Sequence, residues 1–154
     1  MSKTDPPVRD GTSRSSVTVP EVLDVDQTFD ADGLHALRSA VAAHASSLGV
    51  AVWQVEMVVI LASELATNAI RHGGGGGRFR MWHGDDTIFC QVSDDGPGIV
   101  DQSAGTSLPR YDQADGRGLW ICRAIAHDIV IERGATGRGT VVTVVLRRDA
   151  LDRR

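Results

Sequence analysis

The segment IFCQVSDDGPG, residues 88–98, joins an apolar run to a turn that contains two carboxylates and two glycines. Alternation along a strand places Val92 and Asp94 on one face and Asp95 on the opposite face. If the first face is buried, Asp94 points inward, and a buried carboxylate is costly unless hydrogen bonds compensate it. The segment therefore predicts either an ordinary turn or a strand end at which Asp94 meets a ligand.

The amino-acid composition limits the classes of protein to which this chain can belong. The chain has 154 residues, of which 42% are hydrophobic and 23% are charged, as is typical of one soluble globular domain. Its net charge of -4 argues against nucleic acid as the main partner, because phosphate binding needs a basic surface. No apolar run reaches the roughly 18–20 residues that span a bilayer, and no signal peptide opens the chain. We expect neither a membrane nor a nucleic acid as a direct partner.

The two cysteines, Cys90 and Cys122, lie in apolar patterns and lack the spacing of metal ligands. This pattern predicts buried, reduced thiols. Because reduced cysteines are typical of the cytoplasm, we expect a cytoplasmic protein.

The sequence divides into an arm, a domain and a tail. Residues 1–22 are rich in Ser, Thr, Pro and charge, which predicts a disordered or loosely attached arm. Residues 23–148 carry the periodic patterns of a folded domain, and residues 149–154 form a basic tail. Residues 100–115 form a long polar loop within the domain, and such loops are usually either functional or disordered.

Hydrophobic periodicity predicts three helices and five strands. The first helix begins at an Asp30 or Asp32 cap and ends at Gly49. We interpret the run Gly73–Gly77 as a flexible connector rather than as a ligand contact. The second helix covers Val52–Arg71, the third is opened by Gly116-Arg117-Gly118, and the strands are Val25–Phe29, Arg78–Trp82, Thr87–Val92, Ile129–Arg133 and Thr140–Arg147.

The order of these elements favours an α+β fold. Helices come early and strands come mostly late and as hairpins, unlike the alternation of a doubly wound parallel sheet. We predict a two-layer α/β sandwich with a mixed, mostly antiparallel sheet, covered on one face by about three helices.

Polar residues form a row on the second predicted helix. Glu64, Asn68 and His72 are four residues apart and share a face at the edge of the apolar stripe. A solvated face is the simple interpretation, but Asn can offer a neutral oxygen to Mg²⁺ and Glu can deprotonate a hydroxyl. The segment 116–118 would expose backbone N–H groups at a helix start, where anions are favoured. Together with Asp94, these features predict a nucleotide site.

Four segments, in order, resemble the boxes of a known ATP-binding fold. They are ELATNAIRH at 64–72, DDGPG at 94–98, GRGL at 116–119 and Gly139-Thr140. Their order and spacing are similar to those of the Bergerat (GHKL-type) fold shared by gyrase, histidine kinases and heat-shock chaperones. The short length and the ELATNA form most resemble bacterial anti-sigma-factor serine/threonine-protein kinases, over about residues 28–146.

The resemblance implies a role for each box. Asn68 would hold Mg²⁺, Glu64 would be the catalytic base, and His72 in the same row would border the ATP. Asp94 would bind the adenine amino group, with Thr140 supporting it through water.

The remaining boxes would surround the rest of the nucleotide. Gly96 and Gly98 would leave room for it, and the loop at 100–115 would form a lid. Either Arg117 or Arg110 would neutralise phosphate charge. The residues implied at the border of the phosphates are Gly116, Arg117, Gly118 and Leu119.

As a whole, the resemblance implies an ATP-dependent protein serine kinase that sequesters a sigma factor and phosphorylates a serine of an anti-anti-sigma protein. A homodimer is possible. One alternative is a nucleotide-dependent binding module without useful kinase activity. The other is the catalytic domain of a histidine kinase, which needs a phosphoaccepting helical hairpin for which the stretch before the first helix gives little room. Trp53 and Trp82 fit either a partner surface or ordinary packing.

Overall fold

The computed structural model describes residues 17–96 and 117–148. The loop at 100–115, the tail at 149–154 and the first sixteen residues of the arm lie outside the described residues. The elements, in chain order, are β1 (Val25–Asp30), α1 (Leu34–Ser47), α2 (Val52–His72), β2 (Gly76–His83), β3 (Thr87–Asp94), α3 (Arg117–Ile125), β4 (Asp128–Arg133) and β5 (Thr140–Arg147).

The described strands form one five-stranded sheet in the order β1-β2-β3-β5-β4. Each of the four pairings is antiparallel, so the sheet that we expected to be mixed is antiparallel throughout these strands. For β2–β3 and β4–β5 the physical reason is the shortness of the connection, because a short turn can join only antiparallel neighbours.

The core lies between one face of this sheet and the helices. Helix α2 packs against β2 and β3, with α1 and α3 packed beside it. Burying each large apolar side chain contributes about 1.5–3 kcal/mol relative to leaving it exposed. The predicted α+β class is confirmed. Side chains buried between the layers include Leu37, Val41, Val58, Leu61, Leu65, Phe79, Met81, Ile88, Cys90, Val92 and Val144.

The opposite face of the sheet has its own contacts. The rings of Trp82 and Phe89 stack, with centroids 5.2 Å apart and planes 9° apart. Gln91 Nε2 donates to Thr143 Oγ1 at 3.0 Å, and both of these side chains are buried. Of the two roles considered for Trp82, a partner surface or ordinary packing, the structure supports packing.

The ends of α1 differ in how well the sequence predicted them. Gly49 follows the helix with φ of +74°, as expected for a residue that ends a helix. The N-cap, however, is Gly33, and no side chain caps the helix. Asp30 Oδ1 instead accepts the N–H of Gly33 at 3.0 Å and so closes the turn before α1. The prediction that Asp30 or Asp32 caps the helix is wrong, because Gly33 occupies the N-cap position and the Asp30 side chain accepts its hydrogen bond within the preceding turn.

The glycine run is not simply a connector. Gly73 ends α2, but Gly76 and Gly77 belong to β2 and pair with Asp30 and Phe29 of β1. The pairing with β1 extends the strand two residues further than the side-chain pattern predicts, and the connector interpretation is wrong for this part of the run.

In the two described ranges, no helix combines the length and the apolar character that a bilayer crossing requires.

Candidate functional site

Asp94 is the last residue of β3 and lies opposite Thr140, the first residue of β5. Its side chain shares a face with the buried Cys90 and Val92 and is itself half-buried, whereas Asp95 is exposed. The prediction from strand parity, that Asp94 rather than Asp95 faces inward, is confirmed.

Backbone hydrogen bonds hold the Asp94 carboxylate in place. The N–H of Gly96 donates to Oδ1 at 2.9 Å, and the backbone of Thr140 also donates to the carboxylate. Burial raises the pKa of the Asp94 carboxyl, the two hydrogen bonds act in the opposite direction, and the charge of Asp95 adds to the rise. The net direction is upward. Asp94 is thus a fixed, partly desolvated carboxylate rather than a free turn residue.

Glycines allow three backbone segments to meet at Asp94. A Cβ at Gly73 would lie 2.4 Å from Asp94 Cγ, and one at Gly96 would lie 2.5 Å from Gly73 Cα. A Cβ at Gly139 would lie 1.9 Å from the Asp94 carbonyl oxygen, and the N–H of Gly139 donates to the Gly96 carbonyl at 3.0 Å. The end of β3 therefore packs closely against both the end of α2 and the segment that leads into β5.

Helix α2 carries the predicted polar row towards this junction. Glu64 and Asn68 are half-buried, and His72 is exposed at the last residue of the helix. At 1.5 Å per residue, Asn68 and Glu64 lie roughly 7 and 14 Å along the axis from Gly73. Along the helix axis, both side chains therefore lie within about 14 Å of the end of α2 that packs on Asp94.

Helix α3 lies close to Glu64. Burial raises the pKa of the Cys122 thiol on α3 to about 12, and the charge of Glu64 adds to this rise. The electrostatic effect places the Glu64 carboxylate near α3, which packs along α2. The first turn of α3 contains Arg117, Gly118 and Leu119, so three of the residues predicted to border phosphates stand at a helix start, where anions are favoured.

Some predicted site residues fall outside the described residues. These are Gly98, Gly116 and the alternative phosphate partner Arg110. Their predicted roles stay predictions.

An open cavity of about 730 Å³ adjoins Asp94, within the usual size range of small-molecule sites. It is lined by Gly73–Gly77, by Asp94 and Asp95, and by polar side chains of β1 and β2. Glu64 and Asn68 are not among the described residues that line it. The cavity thus extends along β1 and β2, and the row on α2 borders a different side of Asp94.

Sequence reasoning missed the parts played by Gly73 and Gly139. Gly73 stands first in a run of five glycines, and a run of this kind resembles a linker. Nothing in the sequence therefore distinguished Gly73 from its neighbours as the residue that contacts Asp94. Gly139 has φ of +77°, a backbone conformation that favours glycine. Its position directly before a predicted strand was the one signal in the sequence that could have indicated this conformation. Gly96 was expected to leave room for a nucleotide. In the structure its missing side chain leaves room for the end of α2.

A magnesium ion at this site would use few protein ligands. Among residues 17–96 and 117–148, no group of three or more His, Cys, Asp or Glu side chains could hold a metal ion. Mg²⁺ commonly keeps its waters and binds substrate phosphates with one or two protein oxygens, so it needs no such group. The half-buried amide of Asn68 fits this arrangement.

Residues 28–146 match the family model described as a histidine kinase-like ATPase domain. The sequence was found to resemble the Bergerat fold over about the same range, within which the four boxes lie. No curated protein sequence is significantly similar to the chain.

Solved structures are similar in fold. The mycobacterial sensor histidine kinase MprB has a TM-score of 0.53 and 16% identity, covering 82% of this chain and 100% of that chain. The catalytic domain of histidine kinase ThkA has a TM-score of 0.51 and 16% identity, covering 80% of this chain and 96% of that one. A histidine kinase domain from Erythrobacter litoralis EL346 has a TM-score of 0.48 and 21% identity, covering 71% of this chain and 64% of that one.

The likeness to MprB and ThkA concerns the fold, and the family model concerns the sequence. The model covers well over half of the chain. The five-stranded antiparallel sheet with helices on one face is the architecture of the same fold. The chain therefore belongs to the histidine kinase-like ATPase domain family, the GHKL type of ATP-binding domain.

Proposed function

We propose that this protein is an ATP-binding anti-sigma factor with serine-protein kinase activity. In this proposal it sequesters a sigma factor and phosphorylates a serine of an anti-anti-sigma protein. Family membership supports the ATP-binding part. The observation that carries the kinase part is the pair Glu64 and Asn68, a carboxylate and an amide half-buried on one helix whose end is locked against Asp94.

Asp94 selects the nucleotide in this proposal. Its carboxylate accepts a hydrogen bond from the exocyclic amino group of adenine, with Thr140 supporting the contact through water. Guanine presents a carbonyl at that position and leaves the carboxylate without a donor. The fixed position of Asp94, held by Gly96 and packed against Gly73, limits how far the side chain can move to adapt.

Glu64 acts on the protein substrate. The serine oxygen attacks the γ-phosphorus, the bond from that phosphorus to the bridging oxygen breaks, and ADP leaves. The Glu64 carboxylate accepts the serine proton. When bound, Mg²⁺ on Asn68 neutralises charge on the phosphates. Most of the acceleration in phosphoryl transfer comes from such positioning and charge neutralisation.

The test incubates purified protein with γ-labelled ATP, Mg²⁺ and a panel of purified candidate anti-anti-sigma proteins. We expect label on one antagonist with wild-type protein and a loss of about a hundredfold or more with Glu64→Ala, as is typical for removing a general base. Glu56→Ala is the matched control, because Glu56 is exposed on the same helix. Equal labelling by wild type and Glu64→Ala would remove the role assigned to Glu64.

Acid treatment of the product distinguishes this proposal from a histidine kinase. Phosphoserine survives acid, whereas phosphohistidine hydrolyses. An acid-labile product would contradict the serine specificity. Tight Mg-ATP binding with no phosphoprotein from any antagonist would instead favour the alternative function, a nucleotide-dependent binding module.

A further inference from the structure

Exposed apolar side chains gather on the first half of α2. Among the described residues, four large hydrophobic side chains are exposed: Val22, and on α2 Val52, Trp53 and Ile60. Trp53 exposes 53% of its surface and Ile60 exposes 42%. Exposed apolar groups that occur together mark interaction sites more often than scattered ones do.

Trp53 and Ile60 lie on the same line of the helix as Glu64. At 3.6 residues per turn, these three positions fall within a sector of about 40°. Ile60 precedes Glu64 by about 6 Å along the axis, and Trp53 precedes it by about 16 Å. The buried residues Ala62 and Ala69 lie roughly on the opposite side of the helix, which packs toward the sheet. We call Trp53, Ile60 and Glu64 the α2 ridge.

A groove runs beside the first half of the α2 ridge. It has a volume of about 250 Å³ and lies between α2 and the end of α3. Its apolar lining includes Trp53, Met57, Ile125 and Ala126. The groove has the size of one or two side chains, so it suits an apolar anchor from a partner.

We infer that the α2 ridge is the docking surface for the phosphoacceptor protein, which sets an apolar side chain against Trp53 and Ile60 while its serine reaches Glu64. The inference rests on the proposed function. A specific interface covers about 800 Å² on each partner, and a circular patch of that area has a radius of about 16 Å. A patch centred on Glu64 therefore extends to Trp53.

A positive charge beside the α2 ridge indicates a further property of the partner protein. Arg38 Nε of α1 donates to Ser63 Oγ at 2.8 Å, which holds the guanidinium on the α1 side of α2, about 100° around the helix from Glu64. An acidic side chain on the part of the partner that faces α1 would meet this cation. The partner is thus a protein with an apolar anchor and an acidic residue on that side of its serine.

The test measures phosphorylation of the same antagonist panel by Trp53→Asp, Ile60→Asp and Arg38→Glu. Trp53 lies in the first turn of α2, where the helix dipole favours a carboxylate, so Trp53→Asp does not break the helix. We expect KM for the antagonist to rise about tenfold or more for each of the three variants, with kcat and ATP affinity within about twofold of wild type. Val22→Asp is the control for an exposed apolar residue away from α2, and its KM stays unchanged.

The outcomes separate this inference from the proposed function. If wild type labels no antagonist, the proposed function fails and the docking inference falls with it. If wild type labels an antagonist and the variants keep the wild-type KM, only the docking inference is wrong. Loss of sigma-factor binding with unchanged antagonist KM would also overturn it, because it would assign the α2 ridge to a different protein.

Fluorescence gives an independent readout. Because Trp53 is half-exposed and Trp82 is buried, covering the α2 ridge moves the emission of Trp53 to shorter wavelength. The chain has a third tryptophan, the partly buried Trp120 of α3, so the measurement is made in a Trp120→Phe background. In that background we expect the antagonist to cause this shift when Trp82 is also replaced by Phe, but not in Trp53→Phe. A shift that persists in Trp53→Phe would contradict docking on this surface.

Discussion

Replacing Asp94 with asparagine tests the nucleotide site with almost no change of shape. Asparagine keeps an oxygen whose two lone pairs can accept the N–H groups of Gly96 and Thr140, but it removes the charge that faces the adenine amino group. A hydrogen bond to a charged group contributes about 1.5–3 kcal/mol, and 1.4 kcal/mol corresponds to a factor of about ten. Asp94→Asn should therefore weaken ATP binding about ten- to a hundredfold.

Asp94→Asn should affect the stability of the folded protein differently from its affinity for ATP. Burial raises the pKa of Asp94, so the charged carboxylate is disfavoured in the native protein. A carboxyl with a raised native pKa lowers the free energy of unfolding as pH rises from its unfolded value through its native value. The neutral asparagine removes this effect. We therefore expect the ligand-free variant to melt at or above the wild-type temperature at neutral pH, even though it binds ATP weakly.

Calorimetric titration with ATP and GTP, with and without Mg²⁺, measures the affinities, and thermal melts measure stability. Asp95→Asn is the control, because Asp95 is exposed and should leave ATP affinity unchanged. Equal affinity of wild type for ATP and GTP would refute the reasoning, as would an Asp94→Asn variant with undiminished ATP binding.

Three further predictions follow from the contacts. Gly73→Ala pushes a methyl group into the Asp94 carboxylate and should lower both the melting temperature and ATP affinity, whereas Gly33→Ala meets no atom closer than 3.6 Å and should be tolerated. Thr143→Val leaves the buried Gln91 amide without its acceptor and should reduce the free energy of unfolding by about 1–3 kcal/mol in denaturant titrations; no loss would mean that another group replaces it. The buried thiols, each with a pKa raised to about 12, should resist alkylation at pH 8 until the protein unfolds. Since the native pKa exceeds the unfolded value of 9.0, stability should be full below pH 9 and fall between pH 9 and 12, and a flat profile there would contradict their burial.

Local sequence patterns predicted the placement of several residues of the candidate site. The alternation from Cys90 to Asp94 predicted which of two adjacent carboxylates faces inward, and the structure confirms it. The helical spacing of Glu64 and Asn68 put both on one face of a single helix, which is also confirmed. These features depend only on the period of a strand or a helix, and that period is fixed by residues close in sequence.

Contacts between distant segments could not be predicted in this way. Neither the closeness of Gly73 to Asp94 nor that of Glu64 to Cys122 leaves a trace in the local sequence. The cap of α1 was misplaced for a related reason, because Asp30 is drawn into β1 by its pairing with Gly76. In each case packing outweighs local preference.

Patterns local in sequence were sufficient to predict the elements, the inward direction of Asp94 and the four ordered boxes that mark the family. Tertiary packing established what Asp94 contacts, since the close approach of α2 to β3 requires glycines from segments more than 20 residues apart to meet at one point. It also decided which residues of α2 stay exposed. The helical pattern predicts a buried stripe, but whether Trp53 and Ile60 are covered depends on where α1 and α3 lie, and that is set by packing across the whole chain.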